Sequence, residues 1–79
     1  MSSLLTILKD VGTETRRAIT LYGPFTSNHE GYAILLEEVD ELWDEIKANK
    51  PKVPTDEMRK EAVQVAAMAI RFIYDRCDK

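Results

Sequence analysis

The sequence has few of the residues that stabilise very small domains by cross-linking. Its single cysteine, Cys77, has no partner within the chain for a disulfide, and a lone histidine, His29, leaves no cysteine-histidine cluster of the kind that binds zinc. The three glycines are too dispersed to form a phosphate-binding loop. Disulfide-rich, zinc-stabilised and glycine-loop classes are therefore excluded.

Long apolar runs and an excess of basic residues are also missing. No apolar run approaches the roughly 18 residues that a membrane span needs, and the first residues carry no basic-then-apolar signal pattern. Eleven basic residues are scattered among fourteen acidic ones, for a net charge of -3. A polyanion partner is disfavoured by this balance. We expect a cytoplasmic protein with no DNA, RNA or membrane partner.

The 79 residues predict a single all-α domain, residues 1–79, with three helices. Apolar residues at helical spacing predict the first helix from Leu4 to Tyr22, capped by Ser2 or Ser3 and stopped by Gly23-Pro24.

The second helix is expected to begin near Ser27 or Asn28, because Ser27 and Glu30 match a capping box. Its apolar side includes Trp43, which we assign to the core rather than to base stacking. The segment Asn49–Pro54 reads as a linker.

The third helix is expected to begin after Thr55, a good N-cap residue. From Ala62 to Tyr74 only Gln64 and Arg71 are polar, so apolar side chains surround nearly the whole helix. Such a helix must be buried on most sides, and two other helices of a small chain can hardly bury it. We therefore expect a homodimer, or a tetramer, with a four-helix-bundle core formed across the dimer.

Two acidic motifs are the candidate site. Glu37, Glu38 and Glu41 form E-E-x-x-E, and Glu61 with Gln64 forms E-x-x-Q. Residues three apart lie on one side of a helix, so pairs on adjacent helices can converge on a divalent cation such as Mg²⁺. The alternative is a solvated acidic face, which is the commoner meaning of such a run.

The segments H-E-G-Y-A-I-L-L-E-E-V-D-E-L-W-D-E-I, from His29 to Ile46, and E-A-V-Q-V-A-A-M-A-I-R-F, from Glu61 to Phe72, resemble the MazG-type all-α nucleoside triphosphate pyrophosphohydrolases. The resemblance implies helical dimers or tetramers that use Mg²⁺, with Mn²⁺ as a possible substitute. It also implies cleavage of a nucleoside triphosphate to the monophosphate and pyrophosphate, a house-cleaning hydrolase activity.

Carried over to this chain, the family motif makes Glu38 and Glu41 the first pair of metal ligands and Glu61 the third. Glu37 becomes an accessory carboxylate at the catalytic centre. At the fourth ligand position the family has Asp, whereas this chain has Gln64, whose neutral amide oxygen is a weaker Mg²⁺ ligand. The alternative function is a non-catalytic MazG-like module that binds a nucleotide or a protein partner.

Two basic residues are candidates for holding the nucleotide. Arg71 follows Gln64 by seven residues on nearly the same stripe, where its guanidinium would suit a phosphate; the alternative is an ion pair with Asp75 or with an acid of the second helix. Lys60 and its neighbour Arg59 would meet phosphates at a pocket mouth, or would form a solvated helix start.

Overall fold

The part of the chain that the structure describes is all-α. The computed structural model describes residues 3–48 and 55–78, and these contain no strand. The helices are α1 (Leu4–Tyr22), α2 (Asn28–Ala48) and α3 (Asp56–Phe72), and α3 continues into a π-helical turn, Ile73–Cys77. The prediction of three helices in an all-α chain is confirmed, whereas the four-helix bundle across a dimer stays a prediction.

Both ends of α1 lie where the sequence predicts them. The Ser3 hydroxyl accepts a hydrogen bond from the Thr6 N–H at 3.1 Å, which satisfies one of the free donors of the first turn. At the other end Gly23 has φ 68°, a conformation that side chains disfavour, and its N–H donates to the Ile19 carbonyl at 3.3 Å. Gly23 therefore ends the helix.

The starts of α2 and α3 are also capped by side chains. The Ser27 hydroxyl accepts from the Glu30 N–H at 3.0 Å, but the Glu30 carboxylate accepts from the Thr26 N–H at 2.8 Å, one residue before the donor that a capping box uses. At α3 the Thr55 hydroxyl accepts from the Met58 N–H at 3.1 Å. The linker predicted at Asn49–Pro54 lies outside the described residues.

Helix α3 is the centre of the fold, since it packs against both α1 and α2. The buried apolar residues are Val11 and Ala18 from α1, Phe25 from the loop after it, and Ala67 and Met68 from α3. All of these except Val11 form one cluster, and three half-buried apolar residues pack against it: Ile34, Leu35 and Phe72. This core is small, so much of the apolar surface that the sequence assigns to a core is open in the single chain.

Several large apolar side chains of α2, α3 and the π-helical turn are exposed. Trp43 is 54% exposed, so within the single chain its assignment to the core is wrong; the Lys47 ammonium lies over its ring, 5.7 Å from the centroid. Ile73 and Tyr74 are also at least half exposed. The apolar circumference of α3 is thus covered only in part by α1 and α2, because both neighbours lie on limited sectors of it.

The loop between α1 and α2 is held by two buried charged residues. Arg71 donates to the Gly23 carbonyl at 2.8 Å, and its guanidinium lies 4.3 Å from the centroid of the Phe25 ring. The Asp75 carboxylate accepts from the Phe25 N–H at 3.0 Å. The alternative given for Arg71, an ion pair with Asp75 or with an acid of α2, is therefore wrong for the part of the chain described. Each side chain instead satisfies a main-chain group of the loop between α1 and α2.

Gly31 marks a close approach between α2 and the two phenylalanines of the core region. A Cβ at this position would lie 2.7 Å from Phe72 Cδ2 and 3.0 Å from Phe25 Cδ2. We expect Gly31→Ala to destabilise the protein by about 1 to 2 kcal/mol, because overpacking outweighs the gain in helix propensity. Chemical denaturation measures the change.

Gly12 is the matched control, since it also lies inside a helix but a Cβ there would meet nothing within 4 Å. Gly12→Ala is expected to stabilise the protein by about 0.5 to 1 kcal/mol. If both substitutions stabilised it equally, the packing described for Gly31 would be wrong.

Candidate metal centre

Three carboxylates from two helices converge where α2 packs on α3. Glu38 and Glu41 lie one turn apart on α2, and Glu61 lies on the facing side of α3. One carboxylate oxygen from each residue lies within 4.8 Å of the other two. Glu38 and Glu61 are half-buried and Glu41 is exposed. The structure therefore brings together three of the four residues predicted as metal ligands.

Burial and the neighbouring carboxylates disfavour the charged forms of Glu38 and Glu61. Burial, followed by the charge of Glu41, raises the pKa of Glu38 to about 7. Burial also raises the pKa of Glu61, with a further contribution from a hydrogen bond to Glu41, while the Lys60 charge opposes the rise. A bound cation would stabilise the charged forms of Glu38 and Glu61 that the folded protein disfavours.

Glu61 has an unsatisfied oxygen. Its Oε2 is buried and has no hydrogen-bond partner among the described residues. A buried carboxylate oxygen without a partner is costly unless a proton or a cation neutralises it. The oxygens that surround Mg²⁺ lie about 2.1 Å from the ion and so roughly 3 to 4 Å apart. The separations here, all within 4.8 Å, are close to that spacing. The three residues fit a hard divalent cation.

An inner pocket adjoins the cluster at Glu38. Its volume is about 380 Å³, and its polar lining includes Arg17, Glu37, Glu38, Gln64 and Arg71. Glu37, the predicted accessory carboxylate, is exposed and reaches the pocket from α2. Arg71 forms part of the wall, but it is 3% exposed and bonded to Gly23, and its Nε is buried without a partner among the described residues. The Arg71 guanidinium therefore supports the pocket wall and is not free to bind a phosphate with two parallel hydrogen bonds.

Gln64, the fourth residue of the predicted site, turns its amide nitrogen toward α1. Nε2 donates to Oε1 of Glu14 at 2.9 Å. Both carboxylate oxygens of Glu14 in turn accept a hydrogen bond from Arg17 Nε at 2.8 Å. The hydrogen bond from Arg17 lowers the pKa of Glu14 most, and the hydrogen bond from Gln64 lowers it further. Glu14 is thus an ionised acceptor beside the candidate site.

Sequence reasoning missed Glu14, although a signal for it exists. The apolar stripe of α1 jumps from Val11 to Ala18, and Glu14 and Thr15 occupy the turn between them. Thr15 is buried and donates to the Val11 carbonyl at 2.7 Å. A polar turn inside an apolar stripe indicates a polar contact with the neighbouring helix, and here that contact is Gln64.

An outer pocket of about 440 Å³ also has Gln64 in its lining, together with two acidic residues, two basic residues and a valine: Glu14, Asp56, Arg59, Lys60 and Val63. Arg59 pairs with Asp10 of α1 at 2.7 Å, so it is engaged within the chain. Lys60 is exposed one residue before Glu61. Of the basic residues considered, Lys60 is the one placed beside the carboxylates.

Nothing within residues 3–48 and 55–78 forms a helix with the length and apolarity to cross a membrane. Compared with protein-family models, curated proteins and solved structures, the chain has no match in any of the three.

Proposed function

We propose that this protein is a Mg²⁺-dependent nucleoside triphosphate pyrophosphohydrolase that converts nucleoside triphosphates to monophosphates and pyrophosphate. The observation that carries the proposal is the buried, unpartnered Oε2 of Glu61 within a group of three carboxylates. A solvated acidic face would spread its carboxylates into water, whereas this group gathers them at a helix contact. A divalent cation explains both the gathering and the unsatisfied oxygen.

Each residue has a defined part in the proposal. Glu38, Glu41 and Glu61 would hold Mg²⁺, or Mn²⁺ in its place. The cation, when bound, neutralises phosphate charge and makes water a better nucleophile. Glu37, exposed beside Glu38, would accept a proton from the attacking water. Lys60 would face the phosphates from the start of α3, where its positive charge would attract them.

A second copy of the chain is part of the proposal. The exposed apolar residues of α2 and of the π-helical turn, such as Trp43, Ile73 and Tyr74, are expected to pack against the partner in a homodimer or tetramer. We expect sedimentation velocity at micromolar concentration to show a dimer or a tetramer. A stable monomer would contradict this assembly.

The activity is tested by incubating the protein with the common nucleoside triphosphates and Mg²⁺ or Mn²⁺ and measuring pyrophosphate. We expect release that EDTA stops. Inactivity toward every triphosphate with either metal would overturn the proposed reaction.

The second candidate is a non-catalytic helical module that binds a nucleotide or a protein partner. The specific observation in its favour is Gln64, which supplies no carboxylate and commits its amide nitrogen to Glu14. A site with one charge fewer than the family motif binds Mg²⁺ more weakly and neutralises less phosphate charge.

Gln64→Asp separates the two candidates. We expect tighter Mg²⁺ binding and equal or greater pyrophosphate release, because a fourth carboxylate would lie one turn from Glu61. We also expect the metal-free variant to be less stable by about 1 kcal/mol, since the hydrogen bond to Glu14 is replaced by repulsion between carboxylates. Calorimetric titration with Mg²⁺ measures the affinity. An unchanged affinity would show that position 64 does not face the ion and would favour the non-catalytic module.

A further inference from the structure

The ion pair of Glu14 and Arg17 on α1 presents its positive end to a ligand. The Arg17 side chain is 52% exposed, whereas that of Glu14 is 11% exposed. Glu14 also accepts from Gln64 Nε2 at 2.9 Å, which holds the carboxylate against α3. The pair is neutral as a whole, but its accessible part is the guanidinium.

The bonds to Glu14 leave part of this guanidinium unused. Arg17 donates to Glu14 from Nε at 2.8 Å and from Nη2 at 2.6 Å. These bonds engage the Nε–H and one N–H of Nη2, so the other N–H groups of Arg17 stay free of Glu14. They also fix the plane of the group, which lowers the entropy cost of a further hydrogen bond. Arg17 is therefore a positioned donor for an anion.

Arg17 and Glu38 line the same inner pocket from different helices. Arg17 belongs to α1 and Glu38 to α2, and both helices pack on α3, which also contributes to the lining. Glu38 is at the same time one of the three carboxylates of the candidate metal centre. The inner pocket therefore joins the candidate cation site to an exposed guanidinium.

The other basic residues considered for the nucleotide are less well placed for this pocket. Arg71, which also lines it, is 3% exposed and donates to the Gly23 carbonyl. Arg59 and Lys60 belong to the lining of the outer pocket and not to that of the inner pocket. An anion that extends from the cation into the inner pocket would therefore meet Arg17.

The acidic residues of the inner pocket determine when such an anion enters. Glu37 and Glu38 are part of the lining, as is Glu30, whose carboxylate already accepts from the Thr26 N–H. These carboxylates repel an anion until a divalent cation offsets their charge. The ligand that suits both sides of the pocket is a polyphosphate that arrives with the metal.

We propose that Arg17 binds the phosphate chain of the nucleotide, so that α1 supplies the guanidinium contact that the resemblance suggested for Arg71. The inference rests on the proposed function, since it assigns a residue to the substrate of the same site. Arg17 is the residue that contacts the phosphates, and Glu14 is a positioning residue that acts through Arg17.

Titration calorimetry with inorganic pyrophosphate in the presence of Mg²⁺ tests this contact without hydrolysis. We expect Arg17→Ala to weaken pyrophosphate binding about tenfold or more, because charge-assisted hydrogen bonds are lost. Arg16→Ala is the matched control, since Arg16 is the neighbouring exposed arginine of α1 and lines a different pocket. It should change the affinity less than about twofold, because solvent screens its charge.

Two further measurements separate a phosphate contact from a structural role. Glu14→Gln keeps the Arg17 charge, so we expect it to change pyrophosphate affinity less than about threefold. A loss as large as that in Arg17→Ala would show that the pair acts only by holding α1 against α3 and would overturn the inference. Mn²⁺ should bind to Arg17→Ala as it does to the wild type. A loss of Mn²⁺ binding in this variant would place the effect at the metal and would also overturn it.

The remaining outcomes distinguish the inference from the function on which it rests. Equal pyrophosphate affinity of the wild type, Arg17→Ala and Arg16→Ala would overturn the inference. A loss confined to Lys60→Ala would do the same, because it would place the phosphates in the outer pocket. The hydrolase proposal would stand in both cases if the wild type released pyrophosphate from triphosphates. If the wild type neither bound nor released pyrophosphate, the proposed function would fail together with the inference.

Discussion

Glu61→Gln is expected to reduce Mg²⁺-dependent pyrophosphate release by about a hundredfold or more while it stabilises the metal-free protein. The loss of activity follows because Glu61 is the α3 ligand of the proposed cation site, and a neutral amide holds Mg²⁺ weakly. The gain in stability follows because the variant removes a half-buried carboxylate that repels Glu41 and contains an unsatisfied oxygen. We expect that gain to be about 1 kcal/mol.

The two effects are measured together, by a pyrophosphate assay and by thermal unfolding in EDTA. Glu57→Gln is the control, since it removes an exposed carboxylate from the first turn of the same helix. It should leave the activity near that of the wild type. A Glu61→Gln protein that kept its activity would contradict the site, and one that lost stability in EDTA would contradict the repulsion.

The metal-free protein is expected to lose stability as the pH rises from 5 to 8. Burial and the neighbouring carboxylates raise the pKa of Glu38 in the folded protein from its ordinary value of 4.5 to about 7. The folded state therefore binds more protons than the unfolded state between these values. The contribution of Glu38 to the free energy of unfolding is fully present below pH 4.5 and is lost as the pH rises through 7. After solvent screening, the loss is on the order of 2 kcal/mol.

Thermal unfolding across this pH range in EDTA gives the profile. Glu38→Gln should flatten it, because the amide does not titrate. Mg²⁺ should raise the melting temperature of the wild type most at pH 8, where the carboxylates are free of protons, and should leave Glu38→Gln nearly unchanged. A wild-type profile that is flat, or that rises with pH, would rule out the raised pKa of Glu38 as a determinant of stability.

The features that the sequence predicts well depend on contacts within a few residues. Ser3, Gly23 and Thr55 define helix ends through hydrogen bonds that span three or four positions. The pairing of Glu38 with Glu41 likewise follows from one helical turn. The meeting of these residues with Glu61 was predicted because the motif spacing implies two adjacent helices, and the structure places them together.

The features that sequence reasoning missed join residues about fifty positions apart. Gln64 bonds to Glu14 across 50 positions, and Arg71 reaches the Gly23 carbonyl across 48. Helical periodicity assigns a residue to a face, but it does not identify which residue of another helix lies opposite. Arg71 and Asp75 are four residues apart, but they do not pair with each other, because each of them bonds to a main-chain group of the α1–α2 loop.

Titration with Mn²⁺ followed by electron paramagnetic resonance tests whether Glu38, Glu41 and Glu61 form one divalent-cation site. Bound Mn²⁺ loses its free-ion signal, so the titration counts ions without requiring a substrate. We expect a single ion per chain in the wild-type protein, no binding at the same concentrations in Glu38→Gln, and wild-type binding in Glu57→Gln. Equal loss of free Mn²⁺ in all three proteins, or no loss in any of them, would contradict the site.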